Sequence, residues 1–316
     1  MVTTFNASLS PMLVLFCCIV VGYVLSKLKL IPDDSATVLS KLEYYVFGPA
    51  LTFNSLSKNC TVKSISQEYV LIIYAAVALL ISIGLAYLLS NLFSKDKYQK
   101  NIYSYALTFG NFGYMGQPII LALFGDEMLY KYLIFCIPLN IIVYTWGVAI
   151  LIPSKTKAGK FKLLRDILKF PFIAMLFGII FGLLNIRQYF PEFLSTTIGN
   201  LGGCMGPIAM VLLGLVIGKY DFIKLILNVR VYIVTVLRLF IIPALLISVL
   251  WLLRANETAL LLCLFAFGTP MGLNTIVYPA SIGADTSTGA SMSTISHAVS
   301  VITLPVMYAL FTLIFN

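Results

Sequence analysis

The sequence predicts an all-α polytopic membrane protein, with ten transmembrane helices in two inverted five-helix repeats. Three observations predict it. The 316 residues are 60% hydrophobic and only 10% charged, with a mean hydropathy of +0.99, whereas a soluble globular chain carries about 25% charged residues. Apolar runs of roughly 17 to 25 residues, each long enough to cross about 30 Å of hydrocarbon, recur down the whole chain. The two halves also share motifs at an offset of about 158 to 161 residues.

In chain order the spans read at approximately 11–30, 36–56, 69–93, 101–121, 129–152, 171–189, 194–217, 229–253, 259–281 and 288–315. The first follows "MVTTFNASLSP", which lacks the basic region of a signal peptide, so that span is expected to be retained. The first repeat is expected over 1–152 and the second over 171–316. They are joined by one polar connection, 153–170, "PSKTKAGKFKLLRDILKF", expected in the cytoplasm.

Charge orients the spans. The connections after spans one, three, five and seven hold 15 of the 21 Lys and Arg residues. Those on the other side hold only Lys58, Lys63, Lys131, Arg187 and Arg254. Because basic connections stay cytoplasmic, both termini are expected outside, in a plasma-membrane protein. The net charge of +9 then reflects topology and anionic lipid, and calls for no nucleic-acid partner. The six cysteines show no CxxC pair and read as small core residues, so no metal and no cofactor is expected.

The repeat is visible in the residues. "LFCCIVVGYVLSKLKLIPDDS" (15–35) resembles "MLFGIIFGLLNIRQYFPEFLS" (175–195), with Gly22 matching Gly182, and "FGPA" (47–50) matches "MGPI" (205–208). "TFGNFGYMGQP" in span four corresponds to "AFGTPMGLNTIVYP" in span nine. Five spans per half is an odd number, so the second copy must run inverted. Inverted repeats with a Gly/Pro-interrupted span at the same place in each half point to a secondary transporter with its site at the midplane.

A broken helix in lipid must face protein or water, because its freed backbone groups find no partner in hydrocarbon. Its half-helix N-terminus offers N–H groups and partial positive charge to an anion. The candidate binding residues are therefore Asn111, Gly113, Gln117 and Pro118 in span four, and Thr269, Asn274, Thr275 and Pro279 in span nine. The prolines remove donors and force the bends.

The ten-span plan, "GNFGYMGQP" in span four, "LRLFIIPALL" in span eight and "GTPMGLNTIVYPASIGAD" in span nine resemble the auxin efflux carrier family, which includes plant auxin exporters and bacterial permeases for malate-like acids. The resemblance covers essentially the whole chain. It implies a scaffold part and a transport part, whose crossed, proline-broken fourth and ninth helices hold the substrate, and an elevator-like motion. It also implies that Asn111 and Asn274 sit beside the crossing.

No carboxylate lies at either break, which disfavours a cation carrier and favours a small organic anion held by amides, hydroxyls and helix N-termini. Three ionisable residues inside spans are candidates for coupling or anion handling. Arg238 either attracts the anion, pairs with Glu43 or snorkels to the surface. His297, the only histidine, either carries a proton or packs by hydrogen bonds. Glu43, beside Tyr44 and Tyr45, reads as a gate or structural partner. No nucleophile and base motif supports an enzyme, and no P-loop supports ATP-driven pumping. A channel, a solute sensor or a sodium-coupled anion symporter on the same fold stays open, as does a homodimer.

Overall fold

The computed structural model describes residues 2–151, 170–221, 223, 225, 227–281 and 284–315. Most of the connection 153–170, together with Lys224 and Asn316, lies outside these described residues. The first half holds α1 (Val2–Lys27), α2 (Ser35–Leu42), α3 (Gly48–Asn59), α4 (Val62–Phe93), α5 (Lys97–Thr108), α6 (Gln117–Phe135), α7 (Ile137–Ile142) and α8 (Val148–Leu151). The second holds α9 (Phe170–Leu183), α10 (Glu192–Gly203), α11 (Met205–Gly218), α12 (Val229–Val236), α13 (Ile242–Leu252), α14 (Glu257–Phe267), α15 (Asn274–Ser281) and α16 (Ser287–Phe315). Among the described residues the only β-type pairing is a single antiparallel bridge, Gly110 to Met271.

Five stretches are long and apolar enough to cross a bilayer unaided: Phe5–Lys27, Val62–Phe93, Glu192–Gly218, Val229–Leu252 and Ser287–Phe315. A sixth is a pair bent by 49°, Phe112–Phe135 with Ile137–Leu151. The remaining expected spans appear as shorter pieces. Spans four and nine are broken at Phe109–Asn111 and Gly268–Leu273, the places where glycine and proline cluster. These dimensions define a multi-pass membrane protein.

Three of the four wide π-turns among the described residues, all but Val143–Gly147, have one local cause. Glu43–Phe47, Phe112–Gly116 and Leu237–Ile241 are each followed by a helix whose second residue is proline: Pro49, Pro118 and Pro243. Proline has no N–H for the carbonyl four residues back. The residue before it reaches to the fifth carbonyl back instead: Gly48 N–H to Glu43 O, Gln117 N–H to Phe112 O, and Ile242 N–H to Leu237 O. The wide turns rotate the polar residues they carry, and such turns cluster at functional sites. Two of them carry Glu43 and Arg238; the third begins directly after Asn111.

Side-chain contacts sort the connections into two groups. Lys58 pairs with Asp126, Lys131 with Glu68 and Glu127, and Arg187 donates to Ser57 and Asn54. At the opposite group, Lys27 donates to the Tyr220 carbonyl, Lys219 to that of Asp33, and Arg230 to that of Phe93, while Gln99 bonds Asp285. The second group contains connections that the charge pattern placed together. The pairing of helices is reciprocal as well. α1 packs along α11, where Gly22 and Gly214 meet without room for a Cβ on either. α9 packs along α3, where Gly182 lies against the Leu56 and Cys60 carbonyls. Small residues let membrane helices approach this closely.

Candidate functional site

The two breaks meet. The Asn111 N–H donates to the Pro270 carbonyl at 2.6 Å, beside the Gly110–Met271 bridge, so the two interrupted chains cross antiparallel and satisfy part of each other's exposed backbone. Gly110 makes this possible. A Cβ there would strike the Arg238 guanidinium and both oxygens of Thr269.

Each break creates one C-terminal and one N-terminal helix end, and the structure treats them differently. The C-terminal end of α5 is bound by Arg238, whose Nη1 donates to the Leu107 and Thr108 carbonyls at 3.1 and 3.2 Å. The same guanidinium lies 5.8 Å from the ring of Phe267, the last residue of α14. A cation thus sits where the last carbonyls of α5 concentrate negative charge, while its Nε and Nη2 have no hydrogen-bond partner among the described residues. Arg238 is 0% exposed, so it does not snorkel, and it does not pair with Glu43, whose carboxylate oxygens have no partner among the described residues.

The N-terminal ends face a cavity of about 110 Å³. Its wall includes Asn111, Phe112, Gly113, Gln117, Gly272, Leu273 and Asn274 from the breaks, with Glu43, Tyr44, Thr52, Tyr114, Asn140 and Tyr278 around them. Gly113 has open space where a side chain would stand. The first turn after Asn111 leaves the N–H groups of Phe112, Gly113 and Tyr114 without intrahelical acceptors, as the start of any helix does. The Oε1 of Gln117 is buried and has no hydrogen-bond partner among the described residues.

Asn111 is held from behind. His297 Nδ1 lies 2.8 Å from the Ser293 carbonyl, an oxygen that can only accept, so Nδ1 carries the proton. His297 Nε2 then accepts from Asn111 Nδ2 at 3.0 Å. This fixes the amide. Asn274 is oriented differently, through Nδ2 donating to the Tyr105 hydroxyl at 2.7 Å.

Of the expected binding residues, Asn111, Gly113, Gln117 and Asn274 line the cavity, as does Glu43. The other four do not. Pro118 seats against Gly206. Thr269 and Thr275 are buried with their hydroxyls bonded to the Ala266 and Gly272 carbonyls. Pro279 lies inside α15. Arg238 and His297 support the crossing from outside the wall. Asn140, Thr52, Tyr114 and Tyr278 line the cavity without having been singled out. Asn140 carried a usable signal, an amide within the apolar run "IPLNII", because polar groups at membrane depth are functional by default.

A multi-pass helical frame around two crossed, broken helices is the architecture of a membrane transporter. The sequence pattern of the membrane transport protein family matches residues 7–308, and the chain belongs to that family, the auxin efflux carrier family. An uncharacterized transporter of Methanocaldococcus jannaschii is 28% identical over 207 residues, 64% of this chain and 67% of that protein. One from Methanothermobacter thermautotrophicus is 24% identical over 222 residues, 70% of this chain and 71% of that protein. A third, from Schizosaccharomyces pombe, is 31% identical over 90 residues, 28% of this chain and 20% of that protein.

Proposed function

We propose that this transporter moves a small organic anion, such as a carboxylate, across the plasma membrane by elevator-like alternating access. The frame in this reading is ten helices in two inverted repeats with both termini outside. The reading rests on one observation above the others: Arg238 binds the carbonyl end of α5, while the two N–H ends, with Asn111 and Asn274, border the cavity. Partial positive charge is thereby left unopposed on the cavity side, where an anion is stabilised without a full buried counter-charge. The reciprocal packing of α1 on α11 and α9 on α3 supports two equivalent halves.

The test is counterflow of labelled malate into proteoliposomes holding the purified chain. A carrier accelerates uptake when unlabelled malate is inside. Malate flux without such acceleration identifies a channel, and the alternating-access reading falls.

A further inference from the structure

The anion reading leaves the Glu43 carboxylate unexplained. Glu43 is 1% exposed, borders the cavity, and has both carboxylate oxygens without a hydrogen-bond partner among the described residues. A buried ionised carboxylate with neither partner nor water is strongly unfavourable. Its position is built, since the π-turn that carries it follows from Pro49.

The elements packed on this turn bring no counter-charge among the described residues. α9 and α11 contain no ionisable residue, and α10 contains only Glu192 at its start. In α2 and α3 the charged residues are the exposed Lys41 and the exposed Lys58, which pairs with Asp126. Tyr44 and Tyr45 flank Glu43 on its own turn, and Tyr114 and Tyr278 are the ionisable groups across the cavity wall. His297 stands behind Asn111 with its proton on Nδ1.

Resting on the anion reading, we infer that Glu43 is a proton-coupling site: the cavity admits an anionic substrate only when Glu43 is protonated, so one proton is bound and released with each substrate. An anion and a carboxylate in one desolvated cavity repel, and a proton taken from solvent converts the Glu43 carboxylate to a neutral acid that can also donate a hydrogen bond. On release the proton returns to solvent. Coupling is reciprocal, so substrate also favours protonation. Proton release into the compartment that receives the substrate would make the carrier a proton–anion symporter.

The experiment is calorimetric binding of malate to the purified full chain from about pH 6.5 to 10.5, a range in which malate stays dianionic and which extends far enough into alkali to ionise an acid whose charged form burial disfavours. Where free Glu43 is ionised, affinity falls about tenfold per pH unit for one coupled proton. Repeating the titration in two buffers of different ionisation enthalpy gives one proton taken up per malate. Glu43→Gln gives binding that is flat with pH and takes up no proton; Glu43→Asp keeps the slope. The buffer comparison on the unsubstituted chain decides the matter even if Glu43→Gln does not fold. Flat binding without proton uptake in the unsubstituted chain overturns the coupling, as does a slope that persists in Glu43→Gln, or sodium tightening malate in place of the proton. If malate, succinate, lactate and benzoate all fail to bind at every pH, the anion reading itself falls, and this inference with it.

Discussion

The two breaks are alike in sequence and unlike in use. At the first, Asn111 is nearly buried, its backbone N–H is tied to Pro270, its side chain is tied to His297, and Gly113 and Gln117 extend the polar wall. At the second, Asn274 is half-buried and held by a tyrosine hydroxyl, while Thr269 and Thr275 turn their hydroxyls onto nearby carbonyls. The first break therefore presents side-chain chemistry to the cavity. The second contributes mainly backbone and a single amide. Two breaks alike in sequence thus differ in the side chains they bring to the cavity wall.

The largest effect that can break this comparison is steric. Gly110→Val should prevent the crossing, destabilising the fold by about 3 kcal/mol or more, because the atoms in its way are backbone and a pinned guanidinium. Gly113→Ala, in open space, should leave melting temperature nearly unchanged. Equal melting of both variants would mean that the breaks are not tightly crossed.

Next comes Arg238→Met, which strips the Leu107 carbonyl of its side-chain donor, leaves that of Thr108 only the Ser82 hydroxyl, and should lower stability by about 1 to 3 kcal/mol. Malate affinity per folded molecule should change little. A large affinity loss at unchanged melting temperature would instead make Arg238 a direct anion-handling residue.

Asn111→Ala should weaken malate binding by about 1 to 3 kcal/mol, roughly 5- to 150-fold, with little change in melting temperature. His297→Ala should produce part of that loss by releasing the amide. Normal affinity with reduced stability in Asn111→Ala would move Asn111 from recognition to packing.

The smallest effect is expected at the second break. Asn274→Ala should cost about 1 kcal/mol of binding, roughly fivefold. Tyr105→Phe, which removes its hydroxyl partner, should fall between Asn274→Ala and the unsubstituted chain. An Asn274→Ala loss that exceeds the Asn111→Ala loss would reverse the ranking of the two breaks.

Much of this was legible in sequence because glycine and proline act locally. "TFGNFGYMGQP" and "AFGTPMGLNTIVYP" marked both interruptions, and the offset between them marked their correspondence. Less legible were contacts between residues far apart in the chain. His297 meets Asn111 across 186 positions, and Arg238 meets Leu107 across 131. Depth and rarity flagged both as important, but no spacing rule says that one orients an amide and the other binds helix carbonyls. The hydroxyls of Thr269 and Thr275 turn onto the Ala266 and Gly272 carbonyls for a related reason: a threonine near a break has its own backbone as the nearest acceptor. Glu43 was noticed as a buried acid, yet its placement in the cavity depends on the wide turn that Pro49 imposes.

The exchanged helix pairing bears on how the chain is made. Gly22 finds its seat against Val211, so α1 enters the membrane and waits while nearly all of the intervening chain is synthesised. At about 5 to 20 residues per second this is on the order of 10 to 40 s. During that time the glycine face of α1 is covered by lipid or by an insertion factor. The reverse holds for α9, whose partner α3 is already in place when it emerges. Biogenesis is thus asymmetric in time even where the architecture is reciprocal in space: the second half assembles onto a prepared surface and the first half does not. Residues 1–152 produced alone should be cleared by membrane proteases, and should be rescued when 171–316 is produced beside them.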